Sequence, residues 1–490
     1  MLWTDRATKI LKKYWNIDKL KDKQYEVINN LLLKKDVIGL LPTGYGKSMC
    51  YLLPPLVSKK VMFIISPLIS LMEDQKEKLD TMEIPCAALH CNNKNKQEEI
   101  FHIIDGNIKI VYMSPEFLIK GEGLDLVNIL IEKNLLGYLA VDEAHCISSW
   151  GHDFRPEYSQ IKLFRDKYPE IPILAITATA TMEVCNDIIS VLKLRNPVTV
   201  RASFDRPNLF LKICQIPTVI KTVMKGNKLK QVECSMDKEL LIKEYIDKYK
   251  NEKIIIYTNS RDNTVELSLA INKIYPDISQ AYHAGLNKKK REEIQNNFID
   301  GTIKIIICTI AFGMGIDQIV RCVIIFGCPS SVEEYFQQIG RGGRDGKDCE
   351  TVLYFDYKNL AISKWMLKDI KLKYPNIYNC KLNNLNKISK LVYLDTCRRR
   401  FILEHFNERC NFTNCNKCDN CCNQEWTDIT QDIQNLTEKE LKQKYILDLS
   451  QYVFDYKNNK KLIIKIPNKF ISKPDDDSFE NKISKFEKFI

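Results

Sequence analysis

No run of about 18 consecutive apolar residues occurs in this 490-residue chain, so a membrane span is not expected. The stretch from Met1 to Leu20 lacks the apolar core of a secretory signal; Trp3, Asp5, Arg6 and several lysines break it up. Neither sign of charge dominates. Against 73 basic residues stand 62 acidic ones, and an excess of +11 over this length fits a polyanionic partner without demanding one. The 18 cysteines do not read as a disulfide framework, because most lie singly in apolar runs, as Cys308 and Cys322 do. An intracellular, soluble protein of a reducing compartment is expected, with nucleus and cytoplasm undistinguished.

What is present is the composition of a folded chain, 45% apolar and 28% charged. The length exceeds what one hydrophobic core serves, so two or three domains are expected. Residues 36–41 (DVIGLL), 61–66 (VMFIIS), 109–113 (KIVYM), 136–142 (LGYLAVD) and 173–177 (ILAIT) read as buried parallel strands with helical segments between them. The pattern restarts at 253–258 (KIIIYT), 304–309 (KIIICT), 321–326 (RCVIIF) and 351–355 (TVLYF). Two tandem doubly wound α/β lobes are the natural reading. The stretch from about Ile213 to Asp237 has no clean period and reads as an insertion or connecting segment. Beyond Phe355 the strands stop and residues 358–409 are helical in composition.

The first strand runs into Pro42-Thr43-Gly44-Tyr45-Gly46-Lys47-Ser48 and then an apolar helical stretch. A glycine loop at such a turn aims backbone N–H groups at phosphate oxygens. Lys47 is placed to reach the β- and γ-phosphates of ATP, and the Ser48 hydroxyl to hold Mg²⁺. Thr43, Gly44 and Gly46 form the cradle. Asp142 and Glu143 follow another buried strand, where Asp142 would hold the metal's water shell and Glu143 would take a proton from the attacking water. In the second lobe Arg341 and Arg344 stand three apart in QQIGRGGRDG. Surface ion pairs are their bland reading. Beside a phosphate loop and an acidic pair, charge stabilisation on the γ-phosphate from across the cleft is favoured.

The blocks TGYGKS, DEAHCISSWGHDFRPEY, ITATA, SFDRPNL, YHAGL, TIAFGMGID and QQIGRGGRDG, with a terminal C-x-x-C-x-x-C, resemble RecQ helicases in order and spacing over roughly residues 8–422. The resemblance implies two RecA-like lobes, ATP hydrolysis and 3′-to-5′ translocation on single-stranded DNA. It adds His145 to the ATP residues, Gln24 as an adenine-reading glutamine, and Asp317 on the nucleotide side. Trp150, Phe154 and Arg155 match an aromatic-rich loop that senses DNA, and Ser66 and Ser114 match positions touching the nucleic-acid backbone. Three departures are expected to matter. Ile17 and Lys21 replace an aromatic and an arginine ahead of Gln24, predicting weaker adenine stacking. Gly342 is expected to loosen the arginine pair by roughly 1 kcal/mol if its segment is helical. Asp317-Gln318 stands closer to some RNA helicases.

Cys397, Cys415, Cys418 and Cys421 offer four thiolates at ligand spacing for a structural Zn²⁺ site. Cys410 and Cys422 are surplus and either can substitute; the family's spacing selects the first four. Arg398, Arg399 and Arg400 beside Cys397 read equally as phosphate contacts or as a solvated face. The expected division is a first RecA-like lobe over 1–206, a second over 207–355, a helical zinc-binding subdomain over 356–425, and a short extension over 426–490. That extension is too short for a full winged-helix domain and a further helical module. The expected function is a monomeric, ATP-dependent DNA helicase acting on single-stranded and duplex DNA. An RNA helicase is the alternative among enzymes, and a non-catalytic ATP-gated clamp the alternative outside them.

Overall fold

The computed structural model describes residues 3–119, 121–148, 155–216, 218–225, 228–235, 237–310, 312 and 318–422, with the short pieces 426–428, 435, 440 and 465–467. Within the first lobe lie β1 (Val37–Leu40), β2 (Val61–Ile65), β3 (Cys86–Leu89), β4 (Ile110–Met113), β5 (Leu136–Val141), β6 (Ile173–Thr177) and β7 (Val198–Arg201). They form one sheet in the order β3-β4-β2-β5-β6-β1-β7, with every pairing parallel. Parallel strands need both faces covered by helices, which is why the inner ones are apolar end to end. Val61 through Ile65, for example, are all buried.

The second lobe repeats the plan with β8 (Leu209–Gln215), β11 (Ile254–Tyr257), β12 (Ser279–Tyr282), β13 (Ile305–Cys308), β14 (Cys322–Phe326) and β15 (Cys349–Phe355). Their order is β12-β13-β11-β14-β15-β8, again wholly parallel. Both sheets are thus doubly wound, as expected. The segment read as an insertion contains an antiparallel hairpin, β9 (Thr218–Lys225) with β10 (Lys228–Ser235), outside the main sheet.

After β15 come the helices Tyr357–Met366, Lys368–Lys373, Pro375–Val392 and Arg398–His405. The knuckle that follows packs on the open edge of β8. Leu211 N–H donates to the Lys417 carbonyl (3.0 Å), and Ile213 N–H donates to Asp419 Oδ2 (3.1 Å). The chain between the lobes is anchored by Phe204, fully buried and stacked on Phe406 at 4.8 Å between ring centroids. Phe336 of the second lobe completes this aromatic cluster.

Arg398 and Arg399 are neither phosphate contacts nor a solvated face. Both are buried. Arg398 Nε donates to Asp419 Oδ1 (2.5 Å), and Arg399 donates to Asp205 Oδ1 (2.9 Å) and to the Leu209 carbonyl. These guanidiniums staple the zinc-side helix to the knuckle and to the interlobe chain. Arg400 is half-buried and pairs with Glu404 at 2.6 Å. No described helix is long and apolar enough to cross a membrane.

Candidate nucleotide and metal sites

The phosphate loop forms because β1 ends at a turn that needs left-handed backbone. Gly44 and Gly46 have φ of 82° and 91°, values costly for any residue with a Cβ. A Cβ on Gly46 would also sit 2.5 Å from Gln24 Nε2. Gln24 is the loop's inner brace. Its amide donates to the carbonyls of Tyr45 (3.2 Å) and Gly46 (3.0 Å), while its Oε1 accepts from Lys21 N–H (2.9 Å).

Three strand ends meet behind the loop, because β6 lies between β1 and β5. Lys47 Nζ stands 3.9 Å from Glu143 Oε1. The Tyr51 hydroxyl bridges Ser48 Oγ (3.1 Å) and Asp142 Oδ2 (3.2 Å), which brings a hydroxyl and a carboxylate side by side. His145 Nδ1 lies 2.8 Å from Thr177 Oγ1 and 3.3 Å from Glu143 Oε2. The shorter contact takes the hydrogen bond. Glu143 Oε2 is buried and, beyond this longer ion pair with His145, has no hydrogen-bond partner among the described residues, which leaves it able to accept from a donor outside the chain.

The two carboxyls titrate in opposite directions. Burial, with the negative Glu143 next to it, pushes Asp142 up to about 6. Burial also acts to raise Glu143, but Lys47, His145 and Arg341 outweigh it and hold that carboxyl well below its usual range. For His145, burial opposes the charge, yet Cys146 and Glu143 lift its pKa to about 10.

The second lobe closes the cleft. Arg341 acts on Glu143 electrostatically and lies against the Tyr257 hydroxyl. Its buried Nε has no hydrogen-bond partner among the described residues. Arg344 packs at the phosphate loop: a Cβ on Gly44 would stand 3.6 Å from Arg344 Cγ. Gln337 Nε2 donates across the lobes to Thr179 Oγ1 (3.2 Å). Lys21, Tyr45, Arg206 and Asn208 line an adjoining cavity of about 490 Å³ with Thr43 and Arg344. The Lys21 ammonium sits 4.8 Å over the Tyr45 ring.

Gly342 is not helical, contrary to the condition placed on it. The preceding helix ends at Ile339, and a Cβ on Gly342 would meet Cys349 Sγ at 2.3 Å. The space that a methyl would need is filled by a thiol.

At the ends of the adjacent strands β2 and β4 lie Ser66 and Ser114. Ser66 is buried, its hydroxyl unbonded among the described residues. Ser114 Oγ accepts from Phe117 N–H (3.3 Å). Arg155 donates to the Pro67 carbonyl at 2.6 Å, tying the end of the aromatic loop to the segment after β2. Trp150, Phe154 and Asp317 lie outside the described residues. Tyr51, Thr177, Arg206 and Tyr257 went unnamed by motif reading. Three of them lie inside quoted blocks or strands, and only Tyr51 had no signal beyond its place in an apolar helix.

The sulfurs of Cys397, Cys415, Cys418 and Cys421 all lie within 4.8 Å of one another. Tetrahedral Zn–S bonds of about 2.3 Å require sulfurs about 3.8 Å apart; Cys415 and Cys421 are 3.9 Å apart. Backbone N–H groups of Arg400 and Lys417 point at Cys397 Sγ (3.5 Å) and Cys415 Sγ (3.4 Å), as thiolate ligands favour. The donor set fits the metal. Cys410 and the exposed Cys422 are not in the cluster.

Three family models match the chain: DEAD/DEAH box helicase over 21–188, helicase conserved C-terminal domain over 237–346, and RecQ zinc-binding over 362–422. A provisionally named ATP-dependent RNA helicase of Acanthamoeba polyphaga mimivirus is 36% identical over 91% of this chain and 78% of its own length. An ATP-dependent DNA helicase of Schizosaccharomyces pombe is 36% identical over 90% of this chain, which spans only 32% of that relative. Among solved structures, helicase Lhr of Mycobacterium smegmatis, bound to single-stranded DNA and AMP-PNP, matches 76% of this chain and 50% of its own. Its TM-score is 0.55 at 17% identity, a likeness of fold.

Proposed function

Because this chain belongs to the RecQ family of ATP-dependent helicases, we propose that it is a 3′-to-5′ DNA helicase whose ATP site is the interlobe cleft. The observation that carries this is the convergence of Lys47, Asp142 and Glu143 with Arg341 from the opposite lobe. Ser48 and Asp142 would hold Mg²⁺, which supplies charge neutralisation on the phosphates. Lys47 binds the phosphates, and Glu143 Oε2 accepts the proton of the attacking water. As the phosphates draw Lys47 away, Glu143 loses the cation that most depresses its pKa and becomes a stronger base. Arg341 and Arg344 stabilise the charge that develops on the transferred phosphoryl group. Cys397, Cys415, Cys418 and Cys421 would hold a structural Zn²⁺ that fixes the knuckle on β8. In this reading the aromatic loop carrying Trp150 and Phe154 senses single-stranded DNA, and Arg155 relays it toward Pro67.

Glu143→Gln should bind ATP normally and turn it over about 10²–10⁴-fold more slowly. Near-parental turnover would end the assignment. The RNA reading has two observations behind it, the Asp317-Gln318 pair and the name of the mimivirus relative. Of that pair, Gln318 is engaged by Lys253 Nζ at 2.5 Å, while Asp317 lies outside the described residues. ATPase stimulation by matched DNA and RNA single strands decides between the two; greater stimulation by RNA would transfer the activity.

A further inference from the structure

Arg206 sits in the chain between β7 and β8, and its guanidinium hydrogen-bonds to backbone carbonyls. It donates to the carbonyls of Gly342 (2.8 Å) and Gly343 (3.0 Å), with longer contacts to Gly340 (3.5 Å) and to Thr43 of the phosphate loop (3.4 Å). The three second-lobe oxygens are the carbonyls flanking and following Arg341, and they converge on one point. Carbonyl dipoles that converge repel one another unless a cation lies between them. A planar fork with five N–H donors satisfies several at once, which an ammonium on a flexible stem does not. Asn208 supports the same loop, its amide donating to the carbonyls of Gly343 and Lys347 at 2.8 Å each. The same loop carries Arg341, which acts electrostatically on Glu143 and lies against the Tyr257 hydroxyl. Arg206 is itself held. Its carbonyl accepts from Arg399 at 2.5 Å, and Arg399 is buried on the zinc side.

We propose that Arg206 is a positioning residue for ATP hydrolysis, which sets Arg341 and Arg344 on the cleft by clamping the carbonyls between and before them and ties that loop to the phosphate loop through Thr43. The proposal rests on the reading of Arg341 as a charge-stabilising residue. It differs from ordinary packing in one respect: the effect of Arg206 must pass through the arginines. Steady-state ATPase of the full chain on saturating single-stranded DNA tests this in Arg206→Lys, Arg206→Ala, Arg341→Ala and the double variant Arg206→Ala/Arg341→Ala. A displacement of about 1 Å at a reacting group costs on the order of 100-fold, so both Arg206 variants should lose about that in kcat. KM for ATP and ADP affinity should stay near the parent's, so that the loss falls on kcat. The double variant should be slower than Arg341→Ala by much less than the full Arg206→Ala loss, since the share that passes through Arg341 is already gone and only the share through Arg344 remains. Losses that multiply in the double variant would overturn the proposal, as would parental kcat in Arg206→Lys, which carries the test if Arg206→Ala does not fold. Parental turnover in Arg341→Ala would instead remove the arginine reading underneath it.

Discussion

On the first-lobe side of the cleft, side chains hold one another: Lys47 stands by Glu143, Tyr51 bridges Ser48 and Asp142, and His145 rests on Thr177. On the second-lobe side, Arg341 and Arg344 ride on a glycine-rich loop whose carbonyls are held by Arg206 and Asn208. The first arrangement is rigid because oppositely charged and hydrogen-bonded groups are buried together. The second depends on residues from the interlobe chain, and through Arg399 on the zinc-side helix. A motor has a use for this asymmetry. In the proposed reading, a fixed half binds nucleotide while the half that completes catalysis is held by contacts from the interlobe chain and the helix carrying Arg399.

Removing zinc should strain this contrast most. Structural zinc sites supply about 10 kcal/mol of apparent binding free energy that is also folding free energy. Cys418→Ser, or chelation, should therefore unfold the knuckle and cost turnover while the first lobe still binds ADP. Limited proteolysis with metal analysis and a nucleotide titration checks both halves, and well-folded zinc-free protein with full turnover would contradict it. Next in size is the split between Lys47→Ala, which should lose nucleotide binding, and Arg341→Ala, which should lose about 10³-fold in kcat with ADP affinity intact. Equal losses of affinity in the two would erase the distinction between the sides.

A smaller effect comes from pH. Asp142 has a folded pKa of about 6, above the usual carboxylate value, so the folded chain retains a proton that the unfolded chain releases. Its contribution is favourable below about pH 4 and is lost as pH rises through 6. Asp142→Asn should then stabilise the nucleotide-free protein at pH 7.5 by at most about 3 kcal/mol, and hardly at pH 4. Melting curves at the two pH values read this directly; equal shifts at both would refute it. The smallest expected change is Gly342→Ala. Its methyl would meet Cys349 Sγ, and overpacking of this kind costs about 1–3 kcal/mol. Adding Cys349→Ala should recover most of the lost stability and turnover. Failure of that second change to help would locate the constraint elsewhere in the loop.

What could be read without coordinates follows from burial. Every strand recognised in advance is an inner strand, and within the two large sheets the four not recognised, β3, β7, β8 and β12, are the edges. An inner parallel strand is covered on both faces and by both neighbours, so its apolar run is continuous. The edge strands read SQAY, VTVR, CAAL and LFLKICQ, with polar, small or alternating residues that no simple run detects. The hairpin β9–β10 escaped for a related reason, since it joins neither sheet and owes them no apolar pattern.

By itself the sequence determined the parts whose chemistry is local. Glycines at a strand-to-helix turn, an acidic pair after a buried strand and closely spaced cysteines are the parts from which the proposed phosphate, metal-and-proton and zinc sites are built. Only the tertiary structure decided which distant residues complete those parts. Arg398 and Arg399, which read equally as phosphate contacts or a solvated face, are buried staples; Gln24, assigned to the adenine by resemblance, spends its amide on the loop's own carbonyls; and Gly342 is explained by Cys349. Arg206 meets its carbonyls across 134 to 137 positions of chain. Such contacts carry no sequence spacing of their own, because a buried cation is selected by the oxygens the fold happens to gather round it.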